Sequence, residues 1–178
     1  MTIISETYGP CHFIKIAIHL ACVMDIQQPI RSYQLKPLSQ EHRDGMLYIN
    51  RLREGLGRIS IERLNQYTRW YWKNHIRPHF FQEERILLPF MPADHPLSVK
   101  LLDDHAYIRH LILSLDHEAD EQYFRALCDL IDAHIRFEEE QVFAYLEYQL
   151  SPADLNKIHA QLEEHPVAAE EWKDTFWE

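Results

Sequence analysis

From Pro37 onward, apolar residues recur every three or four positions, the period of helices with one buried face. Ser39 reads as the N-cap of a first helix carrying Met46, Ile49, Leu52 and Leu56 at that spacing, with Gly55 and Gly57 ending it. Ser60 reads as the cap of a second, whose face runs through Ile61, Leu64, Tyr67, Tyr71 and His75. Pro78 lies inside this helix and should bend it, and Pro89 and Pro92 should stop it. Asp94 with Pro96 opens a third helix to about Leu115, and the polar DHEAD stretch makes a turn. A long fourth helix is expected from about Glu121 to Gln149. Ser151-Pro152-Ala153-Asp154 starts a short fifth helix that ends before His165-Pro166, and the aromatic tail EEWKDTFWE should fold back on the body. The pattern predicts an all-α fold: an up-down four-helix bundle over 37–150, a short helix and tail over 151–178, and an irregular segment over 1–36.

Composition narrows the chemistry. The 178 residues carry a net charge of −10, which argues against a nucleic-acid footprint and against anchoring to anionic membrane. The longest N-terminal apolar stretch, Phe13 to Met24, is broken by Lys15 and His19 and is too short to span a bilayer. Cys11, Cys22 and Cys128 form no C-x-x-C pair, so neither a disulfide framework nor a thiolate zinc site is expected. No secretory signal is apparent, and a cytoplasmic setting is expected. The unusual feature is 12 histidines in an acidic, helical chain, which points towards metal.

Four of those histidines sit at matching places of an internal repeat. EHRDGMLYINRL aligns with DHAYIRHLILSL, superposing His42 on His105, and HFFQEERILLPF aligns with HIRFEEEQVFAY, superposing His79 on His134 and Glu83 on Glu138. A His and a Glu four residues apart share one helix face. Antiparallel packing could then gather four imidazoles and two carboxylates, a set suited to iron, zinc or manganese. Spacing alone is weak evidence, since chance gives roughly one H-x-x-x-E here. Four occur, and those at His117/Glu121 and His159/Glu163 lie in polar surroundings, whereas His79/Glu83 and His134/Glu138 repeat each other among apolar residues. A ferritin-like di-iron site is excluded because no histidine has Glu three residues before it.

The runs PLSQEH, HIRPHFFQEERILLP, DDHAYIR and HIRFEEEQVFAYLE together resemble the hemerythrin-like, HHE cation-binding family over about 37–150. The resemblance implies a non-haem di-iron centre with His42, His79, Glu83, His105, His134 and Glu138 as metal ligands, the two glutamates bridging. Two positions depart from the oxygen carriers. Arg109 stands where they have a third-helix histidine, and their longer His-to-Glu spacing would select Glu139; the internal repeat favours Glu138.

His110 lies well round the helix from His105 and is expected at the surface or behind the ligands. His75 is expected to pack near the Pro78 bend, and the aromatic set Trp70, Tyr71, Trp72, Phe80 and Phe81 to form core. Arg109 reads either as a cation beside a bridging glutamate or as a solvated helix residue.

With six ligands, the iron held by His105 and His134 should have an extra open position. The expected function is binding or sensing of a small diatomic ligand or peroxide by two iron ions. The alternatives are a di-iron oxidoreductase, or a storage or structural site for zinc or another divalent ion. No organic substrate pocket is suggested by the sequence.

Overall fold

A computed structural model describes residues 31–118, 120–167 and 171–178, without the side chains of residues 116–118. The former expectations for Cys11, Cys22 and most of the 1–36 segment therefore lie outside the described residues. Every regular element among them is helical. The order is α1 (Lys36–Gly55), α2 (Ile61–Tyr71), a π-helical turn (Trp72–Ile76), α3 (Arg77–Gln82), a second π-turn (Glu83–Leu87) and a 3₁₀ turn (Leu88–Phe90). Then come α4 (Pro96–Glu118), α5 (Glu121–Phe137), a third π-turn (Glu138–Val142), α6 (Phe143–Gln149) and α7 (Pro152–Glu164). None of the described helices is long and apolar enough to cross a membrane.

Local chemistry sets most boundaries. Ser60, Asp120 and Ser151 each accept a backbone N–H of the following turn, at 3.4, 2.8 and 3.1 Å. Gly57 takes a positive φ of 74°, which lets the chain reverse after α1. Two expected caps differ. Helix α1 begins earlier, at Lys36 with Pro37 in its first turn, so Ser39 is a buried helical residue and not its cap. Helix α4 is capped by His95, whose ring Nδ1 accepts the N–H of Leu97 at 3.2 Å, and not by Asp94. That helix also runs on through His117 and Glu118, three residues past the expected stop.

Pro78 does not break its helix. The chain widens into the π-turn just before it, where Arg77 N–H reaches Trp72 O. The Asn74 side-chain amide meanwhile bonds Trp70 O at 3.0 Å. The helix thus absorbs the missing proline donor by adding a residue to the preceding turn.

Packing arranges the helices around two apolar clusters. Helix α5 lies against α1 and α4, and α2 against α4 and α1. One cluster centres on Tyr48, Leu52, Tyr67, Ile112, Phe124 and Leu127. The other centres on Leu38, Leu87, Leu101, Val142, Phe143 and Ile158, the last supplied by α7. Each long helical run passes from one cluster to the other, and each carries one of the four repeat histidines between them. His42 falls between Leu38 and Tyr48, His79 between Ile76 and Ile86, His105 between Leu101 and Ile108, and His134 between Ile131 and Phe137. A polar layer is thereby held between two dry ones.

The tail docks as expected. Phe176 is buried against Tyr67, Arg63 pairs with Asp174, and the Arg51 guanidinium lies 4.1 Å from the Trp177 ring centroid.

Candidate metal centre

All six repeat residues converge in the polar layer, each at 8% exposure or less, and Glu83 and Glu138 at zero. They form two four-residue groups whose donor atoms lie within 4.8 Å of one another: His42, His79, Glu83 and Glu138, and Glu83, His105, His134 and Glu138. The two glutamates belong to both. Glu83 presents Oε1 to His79 at 3.2 Å and Oε2 to His105 at 3.2 Å. Glu138 presents Oε2 to His42 at 3.0 Å and to His134 at 3.3 Å, and Oε1 to His105 at 3.7 Å. Glu138, not Glu139, is the carboxylate placed between the histidine pairs.

The rings are aimed from behind. His42 Nδ1 faces Glu139 at 2.7 Å, His79 Nδ1 faces Glu41 at 2.7 Å, and His105 Nδ1 faces Glu84 at 2.9 Å. His134 Nδ1 lies 3.5 Å from Asp104. A carboxylate behind Nδ1 fixes the proton there and turns the Nε2 lone pair inward, the usual support of a metal-binding imidazole. The inward Nε2 atoms of His42 and His79 are only 3.0 Å apart, and two bare lone pairs at that distance repel unless a cation or a proton lies between them. For metal bonds of about 2.1 Å, neighbouring corners of an octahedron lie about 3.0 Å apart, close to the contacts observed.

The inward atoms also lack partners of their own. Both oxygens of Glu83 and Glu138, and Nε2 of His105 and His134, are buried without a hydrogen bond. A buried, unsatisfied charge is expensive, so such a cluster implies a missing counter-ion. In the metal-free chain, protons on His42, His79 and His105 take that part. Burial opposes the charged form of His79, but the Glu83 charge and the bond to Glu41 outweigh it and raise its pKa to about 9. Burial is likewise outweighed at His105 by Glu138, Glu83 and Glu84, which raise it to about 11. Glu83 is held well below the usual carboxylate range by the same histidines, against its burial. These buried histidine and glutamate groups could hold metal ions.

Each glutamate that enters both groups also starts a π-turn. Leu88 N–H bonds Glu83 O and Phe143 N–H bonds Glu138 O, five residues on. The wider turn at Glu138 turns Phe143, nine positions after His134, towards the face that carries His134 and Glu138, whereas Ile86 and Leu87 follow His79 by seven and eight positions and share its face in any α-helix; all are buried.

Other residues fall in several places. Arg109 pairs with Glu84 at 3.2 Å, not with a bridging glutamate, and so lies behind His105. The two groups match in donor type, two histidines and the shared pair of glutamates, so the His105/His134 side offers no fewer donors than the His42/His79 side. His110 is exposed, and His159 and Glu163 belong to neither group. His75 stacks on Tyr71, with centroids 4.5 Å apart. Phe80 stacks on His105 at 3.6 Å, walling the site, whereas Phe81 is 48% exposed and does not join the expected core.

Two features escaped the sequence reading. Arg31, in the segment taken as irregular, is buried and pairs with Glu139 at 2.9 Å, clamping the carboxylate behind His42. No periodic pattern marks it. A cavity of about 590 Å³ opens beside the centre, reaching His42, His79 and His134 and walled by Tyr71, Ile76, Phe80, Ile108, Ile131 and Ile135. It is assembled from seven helical elements, α1 to α5, the π-turn before α3, and α7, which no local motif could reveal.

No protein-family profile, curated protein or solved structure matches this chain.

Proposed function

We propose that this chain is a hemerythrin-like up-down four-helix bundle whose six central residues hold two iron ions and bind or sense oxygen, nitric oxide or peroxide. The observation that carries the reading is the sharing of Glu83 and Glu138 between two otherwise separate histidine pairs. A single-ion site has no use for two carboxylates that each face both pairs, whereas two adjacent cations need bridging negative charge to offset their repulsion. When bound, the metal pair would supply the redox chemistry and the open coordination positions.

The chain's own residues supply the rest. The carboxylates behind the rings orient His42, His79, His105 and His134, and Glu83 and Glu138 balance charge. Phe80 and Phe143, stacked on His105 and His42, exclude water from the rings. Imidazole and carboxylate accept zinc as readily as iron, so the choice of iron rests on the family resemblance.

The test is anaerobic loading with ferrous iron followed by exposure to oxygen and then to vacuum. A visible absorption that appears with oxygen and fades under vacuum supports binding. An iron-loaded protein whose spectrum responds to none of oxygen, nitric oxide and peroxide refutes it.

The cavity against His42, His79 and His134 favours a second reading, a di-iron oxidoreductase, because it gives outside molecules a route to the centre. Sustained peroxide consumption with a reductant would select that reading.

A further inference from the structure

The carboxylates behind the histidines are not held alike. Glu84, behind His105, is paired with Arg109, whose side chain is 43% exposed, and Asp104, near His134, with Lys100, 50% exposed. Pairs in contact with water contribute little and are easily exchanged for solvent. Glu139, behind His42, is paired instead with Arg31, and the two side chains are only 8% and 5% exposed. Breaking a buried pair leaves an uncompensated charge, so this support cannot relax cheaply.

Arg31 acts on His42 by two routes. Its Nη2 donates to Glu139 Oε2 at 2.9 Å, while Glu139 Oε1 faces His42 Nδ1 at 2.7 Å. Its guanidinium also lies 5.1 Å from the Phe143 ring centroid. Phe143 in turn stacks on the His42 ring, with centroids 5.3 Å apart and planes within 5° of parallel. The placing of Arg31 therefore bears on both the hydrogen bond and the tilt of that imidazole.

The other fastenings of Arg31 lie further along the chain. It belongs to residues 31–35, an arm ahead of α1 that is hooked onto α6 and α7. Glu147 of α6 accepts Arg31 Nη1 at 2.9 Å through Oε2 and the Ser32 backbone N–H at 2.7 Å through Oε1. Asn156 of α7 accepts the Tyr33 hydroxyl at 2.6 Å and the Gln34 side-chain amide at 3.0 Å, both on Oδ1. Neither Glu147 nor Asn156 belongs to the two donor groups.

We propose that Glu147 and Asn156 are positioning residues for the metal position at His42 and His79. By fastening residues 31–35 they keep Arg31 against Glu139 and Phe143, and through these they aim His42. The position at His105 and His134 is backed by Glu84 and Asp104 and does not depend on the arm. This rests on the metal function proposed above and adds that its two positions answer to different supports.

The test compares wild type with Glu147→Ala and with Asn156→Ala in the full chain, by zinc titration against a chelator. Glu147→Ala removes two hooks of the arm and puts a good helix former in their place. The affinity for one of the two zinc ions should fall about tenfold, the lower end of the loss expected when a ligand's outer partner is disturbed, and the other ion should be unaffected. Asn156→Ala should act in the same direction and more weakly. General destabilisation would weaken both ions or neither. Nuclear magnetic resonance of the zinc-loaded protein supplies a second readout: water exchange of the His42 Nδ1 proton should speed up in Glu147→Ala, and that of His105 should not.

Equal weakening of both ions, a variant that weakens neither, or an unmoved His42 proton would overturn the proposal. Failure of the metal reading looks different, since the wild type itself would then take up no zinc. Two bound ions in the wild type with an indifferent Glu147→Ala variant overturn the positioning role alone.

Discussion

Replacing Glu83 by glutamine keeps the side chain's size but removes one charge and one anionic donor from both histidine pairs at once. Loss of a carboxylate that merely supports a ligand weakens metal binding by about 10–100-fold. A donor shared by both positions should cost at least the upper figure. With free zinc at a thousand times the wild-type Kd, loading stabilises the chain by about 4.1 kcal/mol. A hundredfold weaker variant gains only about 1.4 kcal/mol, so about 2.7 kcal/mol of the metal-dependent gain is lost. For a chain of this length, that is a fall of about 5–11 °C in the zinc-induced rise of Tm.

The assay is thermal unfolding of each protein with and without zinc, so any change in the metal-free baseline cancels. The control is Glu121→Gln. Glu121 also follows a histidine by four residues, but its side chain is 50% exposed and lies outside both groups. A zinc-induced rise in Glu83→Gln equal to that in wild type would refute the bridging role, whatever the control does.

Further expectations follow from the surroundings of the centre. Glu139→Gln should weaken zinc binding by about 10–100-fold in chelator competition, and Arg31→Met should act in the same direction by loosening Glu139. His79 and His105 titrate above the ordinary histidine value, at about 9 and about 11. Their stabilisation of the metal-free protein is therefore complete below about pH 6.5 and is lost as pH rises through those values. For the same reason, zinc must displace protons near pH 7, and calorimetric heats should depend on the buffer's ionisation enthalpy; heats independent of buffer would contradict this. Gly55→Ala would set a Cβ 2.8 Å from Leu64 Cδ2 and 2.9 Å from Phe176 Cε2, so it should cost about 1–3 kcal/mol in urea unfolding while metal content stays unchanged.

The sequence exposed what is periodic and repeated. Helical spacing located the long runs, Ser60 and Ser151 marked their starts, and the alignment of His79/Glu83 with His134/Glu138 singled out the pairs that face the centre. Context separated these from His159/Glu163, because aliphatic neighbours imply a buried face and polar ones do not.

What stayed hidden depends on tertiary contact or on the phase of the backbone. The three π-turns have no compositional signature, and the extra residue that accommodates Pro78 is visible only in the hydrogen bonds. Arg31 carries no pattern until the chain folds Glu139 and Glu147 against it. Glu41, Glu84 and Asp104 resemble any acidic residue on a helix, and only packing places each behind a histidine. Ser39 and Asp94 are good caps by residue type, but Pro37 starts α1 sooner and His95 stands nearer the first turn of α4.

The central claim is a pair of adjacent metals sharing two carboxylates. The most direct measurement is X-ray absorption on the full chain after anaerobic ferrous loading, with iron and protein quantified in the same sample. The account predicts two irons per chain, with nitrogen and oxygen donors at about 2.0–2.2 Å and an iron–iron distance of about 3.5–4 Å. At most one iron per chain after saturation, or two irons with no metal–metal scattering within that range, would contradict it.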